Sequence, residues 1–181
     1  MRIKYLLLSA FPLVMICSFS VMFTACESIQ TKKPTAEELQ FQKVNSLAKS
    51  GDASAQFHLS DFYLKGYGTD QNATAYQKWI TASAESGYLS AQKKLANDLL
   101  EGEVVQRNVD LAIQWLERAA EQKDRQSQRK LVTLYTDGKH VPKNIKKAVQ
   151  WTRPLAERGD SSAIKSLATI YETGEGIPKD I

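Results

Sequence analysis

The chain has 181 residues, 43% of them hydrophobic and 24% charged, with a formal net charge of +4. These are proportions of ordinary soluble globular material, and two cysteines are too few for a disulfide framework. The apolar content is concentrated at the start, where Arg2 and Lys4 precede a run from Tyr5 to Phe23 without a charged side chain, the layout of a secretory signal. A single uncleaved membrane span is the alternative, because such a run approaches the roughly 20 residues that cross a bilayer.

The next residues favour cleavage. Small Thr24 and Ala25 precede Cys26, and the run Phe23-Thr24-Ala25-Cys26 resembles the lipobox of bacterial lipoproteins, with Phe23 where that motif usually has Leu. The resemblance implies a signal peptide over residues 1–25 and an acylated Cys26 as the mature N-terminus. Several acyl chains on one residue make a stable membrane anchor, whereas one chain binds only marginally. Glu27 stands where the family's sorting rule looks for Asp as an inner-membrane retention signal, which favours the outer membrane. Cys17 leaves with the signal and Cys26 is used as the anchor, so the exported part has no disulfide. Removing residues 1–26 leaves 22 bases against 20 acids, and a balance so close to neutral argues against nucleic acid as a partner.

Residues 26–35 are polar around Pro34 and read as a flexible tether. Residues 36–52 follow as a leading helix that caps the N-terminal face. Thr35 with Glu38 three positions on has the spacing of a capping box.

From residue 53 to 181 a single period of 36 organises the chain. Trp79, Trp115 and Trp151 keep that interval, as do Leu59, Leu95, Leu131 and Leu167, then Tyr63, Leu99, Tyr135 and Tyr171. Gly66, Gly102, Gly138 and Gly174 keep it too. Within each unit the apolar residues fall at helical spacing, as Ala55, Leu59 and Tyr63 do. The glycine then ends the first helix, and Asn72, Asn108, Asn144 or Asp180 caps the start of a second. Second helices close at Gly87 and Gly159, with Lys123 in the middle unit. The tryptophans, leucines and tyrosines are therefore expected as inter-helix core.

The pattern Ala-x-x-x-Leu-x-x-x-Tyr-x-x-Gly, a loop, Asn or Asp, then Ala-x-x-Trp-x-x-x-Ala-Ala-x-x-Gly resembles the Sel-one-like repeat family (SLR), relatives of the tetratricopeptide repeats. The resemblance covers about residues 47–181 and implies an all-α, right-handed solenoid of helix-turn-helix units, three full and a fourth incomplete. Val104 and His140 replace the second glycine of the family's Gly-x-Gly loop, so those two loops are expected to be reshaped.

Reactive chemistry is sparse. His58 and Asp61 lie three apart on one helix without a nucleophile or third ligand, His140 lies in a loop, and no thiol remains beyond Cys26. No metal site and no cofactor are expected. Cysteine-rich SLR relatives linked to β-lactam binding or hydrolysis supply the enzyme alternative, but the corresponding disulfides are missing and Ser162 with Lys165 is the only Ser-x-x-Lys match in the array.

In tetratricopeptide-like arrays the first helices line the concave face. Carried over, that geometry makes Phe57 and Asp61, Lys93 and Asn97, Arg129 and Thr133, and Lys165 and Thr169 a partner-binding groove. Lys93, Arg129 and Lys165 would form a basic ladder that receives an acidic or C-terminal carboxylate segment. The expected function is a membrane-anchored periplasmic scaffold or adaptor. An immunity protein that neutralises an exported effector such as a lipase is the alternative within the binding class. The register also calls for a fourth second helix after Asp180. Truncation of a longer array, pairing with another molecule, or fraying of the last helix would each account for its absence.

Overall fold

The computed structural model describes residues 33–174, and over them the chain forms eight helices joined by turns and loops. They are α1 (Ala36–Lys49), α2 (Ala53–Lys65), α3 (Ala73–Glu85), α4 (Leu89–Glu101), α5 (Val109–Glu121), α6 (Arg125–Asp137), α7 (Ile145–Glu157) and α8 (Ser161–Thr173). Each helix packs against the one before it and the one after it, which is the nearest-neighbour order of a solenoid. The helices α2 and α3, α4 and α5, and α6 and α7 form the helix-turn-helix units, and α8 opens a fourth. Cys26, the residues before it and Asp180 lie outside the described residues.

Local chemistry fixes the ends of the helices. Asn72, Asn108 and Asn144 each accept a hydrogen bond from the backbone N–H three positions on, at 2.8, 3.0 and 3.0 Å, and so start the second helices. The first helices α2, α6 and α8 start at Asp52, Asp124 and Asp160 in the same way, whereas Tyr88 begins α4 without a side-chain bond. All four first helices end at a left-handed glycine, Gly66, Gly102, Gly138 or Gly174. Lys123 takes the corresponding left-handed turn after α5 at φ +67°, the one non-glycine with positive φ among the described residues.

The leading helix α1 has the capping box expected from Thr35 and Glu38, with both reciprocal bonds made at 3.1 and 2.7 Å. Its first turn lies over the loop of the first unit, and Gly68 is what allows the approach. A Cβ on Gly68 would collide with the Glu37 carbonyl and come within 3.0 Å of the Phe41 side chain. The two other complete loops are shaped differently, since neither Val104 nor His140 adopts the positive φ of Gly68. Val104 packs on the core beside buried Val105, and the His140 ring nitrogen lies 3.0 Å from the Arg107 guanidinium.

Leu59, Leu95 and Leu131 are fully or almost fully buried, as are Tyr135 and Trp115. Trp79, Trp151 and Tyr63 are half-buried against this core, and Leu167 and Tyr171 are half-buried on α8. The tryptophans are thus not equivalent, and only Trp115 has a complete shell of repeats on both sides. A polar ladder accompanies the apolar one. The amide groups of Gln56, Gln92 and Gln128 donate to the carbonyls of Ala48, Ala84 and Ala120 at 3.3, 3.1 and 3.0 Å, tying α2, α4 and α6 each to the end of the helix before it.

Candidate partner-binding face

Of the eight residues singled out on the first helices, Phe57, Lys93, Asn97 and Arg129 are engaged across the junctions between repeats. Lys93 forms an ion pair with Asp124 at 3.2 Å, and Arg129 pairs with Asp160 through Nε at 3.0 Å and Nη2 at 2.5 Å. In the first unit the same position holds Phe57, whose ring packs on Tyr88 with centroids 5.4 Å apart. One interaction therefore recurs three times, from the middle of a first helix to the residue that starts the next one, as an aromatic contact and then twice as an ion pair.

Two members of the basic ladder are engaged within the protein. Lys93 is half-buried and Arg129 exposed, but both are held by carboxylates that also cap helices. Burial pushes the Asp124 carboxyl up, yet the Ser127 N–H and hydroxyl and the Lys93 ammonium outweigh it and hold the group below the usual carboxylate range. Asp160 is likewise held low, first by Arg129 and then by the Ala163 N–H. Lys165 is the member of the ladder with no ion-pair or hydrogen-bond partner for its ammonium among the described residues.

In the second row only Asn97 bonds across a junction among the described residues. Asp61 lies 3.6 Å from Lys65 and lines a small cleft with His58, Gln40 and Tyr67. Asn97 accepts from the Lys130 ammonium at 2.6 Å, while the Thr133 and Thr169 hydroxyls donate to the carbonyls of Arg129 and Lys165 at 3.1 Å. Ser162 and Lys165, the Ser-x-x-Lys match, line different clefts. Ser162 borders one between Arg129 and Asp160, and Lys165 borders its neighbour. Among the described residues no group of three or more His, Cys, Asp or Glu could hold a metal ion. No described helix is long and apolar enough to cross a membrane.

Two clefts at the last junction, between α6, α7 and α8, are far larger than their counterpart one repeat earlier. They measure about 480 and 450 Å³ and share Val132, Thr152 and Ser166, against about 50 Å³ for the cleft between α4, α5 and α6. Residues Thr136, Thr152 and Ser166 line this space, and periodicity alone did not single them out. Register alignment does carry the signal, because Thr152 replaces Ile80 and Leu116, Thr136 replaces Leu64 and Leu100, and Ser166 replaces Lys94 and Lys130.

Charge is divided between the two halves as well. Residues 36–124 hold thirteen acids and nine bases, and residues 125–174 hold four acids and ten bases.

Comparison with known proteins agrees with this architecture. A model of the Sel1 repeat matches residues 53–88, 89–124, 127–160 and 161–181. No curated protein matches the chain. Among solved structures, a protective antigen present in uropathogenic Escherichia coli strains and displaying an SLR fold is 31% identical with a TM-score of 0.61. That match covers 77% of this chain but only 30% of the antigen. A Sel1 repeat protein from Oxalobacter formigenes is 35% identical with a TM-score of 0.60, covering 72% of this chain and 98% of that one. The Sel1 repeat model matches well over half of the residues, and the chain belongs to the Sel1 repeat family.

Proposed function

We propose that this protein is a lipid-anchored scaffold or adaptor of the bacterial cell envelope, facing the periplasm, which recruits another protein along its first helices. Sel1 repeat proteins generally mediate protein–protein interaction. The supporting observation in this chain is a row of clefts bordered by Asp61 on α2, Asn97 on α4, Thr133 on α6 and Thr169 on α8, the last two clefts sharing the junction of α6, α7 and α8. Such a row suits an extended partner that touches several repeats. The charged residues before the apolar run and the Thr24-Ala25-Cys26 sequence support export and acylation of Cys26, with the outer membrane as the destination.

Two measurements test this reading. Metabolic labelling with palmitate should mark the wild type and not Cys26→Ser, and absence of label from a soluble wild type would sink the anchor. A photo-crosslinking amino acid placed in living cells at Thr133 or Thr169 should trap one defined protein. The same probe at Lys78, Gln114 or Gln150, which share an exposed position on the second helices, should not. Equal capture from both faces would defeat the adaptor reading.

A further inference from the structure

The last junction differs from the earlier ones in a way that core packing does not demand. Where Ile80 and Leu116 fill the core at 0% and 2% exposure, the third unit has Thr152, which is as deeply buried at 2%. Exchanging a buried branched hydrocarbon for threonine sacrifices apolar packing and leaves space. Thr152 borders the paired clefts of about 480 and 450 Å³ described above, together with Val132 and Ser166.

The lining has a definite chemical character. Thr136, Thr152 and Thr169 donate their hydroxyl protons back to the carbonyls of Val132, Ala148 and Lys165, at 2.9, 2.7 and 3.1 Å. Thr152 is too deeply buried to present its hydroxyl, so the acceptor lone pairs left for the cleft are those of Thr136 and Thr169. Lys143 and Lys165 line the same cleft, and neither ammonium has an ion-pair partner among the described residues, so they offer positive donors. Val132, Ile145 and Ile170 supply the apolar remainder. A ligand complementary to this set carries N–H donors, a carboxylate and a branched apolar group together. A phosphate or other simple anion has no N–H for the hydroxyl acceptors, whereas an extended acidic peptide has all three.

We infer that the junction of α6, α7 and α8 is the docking site for an extended acidic segment of the partner protein, its carboxylate held by Lys143 and Lys165 and an apolar side chain seated between Val132, Ile145 and Ile170. This rests on the interaction reading above and assigns it a place and a partner chemistry. The excess of ten bases over four acids in residues 125–174 steers such a segment to this end of the array, while the acidic excess in residues 36–124 repels it from the other.

The test uses the purified full chain and a fluorescent hexapeptide library that alternates Asp or Glu with Ile, Val or Leu. A matched library carries Asn and Gln instead. The acidic library is expected to bind at least tenfold more tightly than its amide counterpart, with inorganic phosphate competing only as a general salt. Thr152→Leu, which rebuilds the side chain of Leu116, should weaken binding at least tenfold without lowering the melting temperature, and Lys165→Glu should do the same. Gln114→Ala, on the exposed face of a second helix, should leave binding unchanged. No binding by any member, equal binding of the amide library, or full displacement by phosphate at matched ionic strength would overturn the inference. Self-association of the chain that is lost in Thr152→Leu and not competed by peptide would overturn it too. Face-selective crosslinking that survives Thr152→Leu would remove this site and leave the adaptor reading standing, whereas equal crosslinking from both faces would remove the adaptor reading itself.

Discussion

The Arg158 guanidinium donates both to the side-chain carbonyl of Gln128 and, at 2.9 Å, to the backbone carbonyl of Lys123, so it satisfies a buried acceptor in its own repeat and a turn carbonyl in the preceding one. Gln122 does the same one repeat earlier, reaching Gln92 at 2.8 Å and the Gly87 carbonyl at 3.1 Å. The corresponding residue in the first unit is Ser86, which is too short, and the Gln56 side-chain oxygen is left buried without a partner. Ser86→Gln or Ser86→Arg should therefore stabilise the protein by about 0.5–1.5 kcal/mol, the usual net worth of a hydrogen bond that meets a buried unsatisfied group. Urea denaturation measures it, and an unchanged midpoint for both variants would refute the argument.

Lys123 ends α5 in a left-handed conformation that its Cβ disfavours, where Gly87 and Gly159 carry the turn in the neighbouring units. Left-handed backbone costs a residue with a Cβ roughly 1–2 kcal/mol, offset in part by the extra entropy that glycine loses on folding. Lys123→Gly should gain about 0.5–1 kcal/mol, and the backbone carbonyl bonded to Arg158 is retained. Lys123→Ala, which keeps the Cβ, should gain nothing.

Much of this architecture is legible in the sequence because it is local or strictly periodic. The glycine stops, the asparagine caps and the leucine core follow from spacing within 36 residues, and Thr35 with Glu38 announces the first helix. The fate of the basic ladder is not legible in the same way. Whether Lys93 faces solvent or Asp124 depends on how far one repeat is rotated and raised relative to the next, which is a tertiary quantity with no signature in helical spacing. Sequence alone places Lys93, Arg129 and Lys165 as equivalents, and the structure separates them, since Asp124 and Asp160 engage the first two. Gly68 is similar, because its need arises from the Glu37 backbone of a helix outside the repeats.

The ion pair and the helix cap at Asp124 can be measured separately. Asp124→Asn keeps an equivalent capping acceptor and removes the charge, so it should cost no more than about 1 kcal/mol at neutral pH. Asp124→Ala loses the cap as well and should cost about 1–2 kcal/mol more. Because the folded carboxyl is held below its unfolded value, its contribution is present at neutral pH and lost as pH falls through the folded value. Wild type and Asp124→Asn should thus converge in stability in acid, below the ordinary carboxylate range. Lys93→Glu would place two carboxylates together at this junction and should destabilise the fold more than Lys93→Ala does.

The tryptophans provide a graded test of where the core is tightest. Trp115 is 6% exposed, with the Arg118 guanidinium 4.6 Å above its ring, whereas Trp79 and Trp151 are half-buried. Trp115→Ala should cost roughly 3–5 kcal/mol, the range for a buried aromatic, and Trp79→Ala and Trp151→Ala distinctly less. The indole N–H of Trp115 is itself buried without an acceptor, so its hydrogen-bonding capacity contributes nothing to the folded state. Trp115→Phe removes that unsatisfied donor along with part of the ring and should retain more than half of the stability lost in the alanine variant. Denaturation of the three alanine variants and the phenylalanine variant, each followed by far-ultraviolet circular dichroism, orders them directly. An equal cost at all three positions would mean that the terminal repeats are packed as completely as the middle one, contrary to the burial observed here.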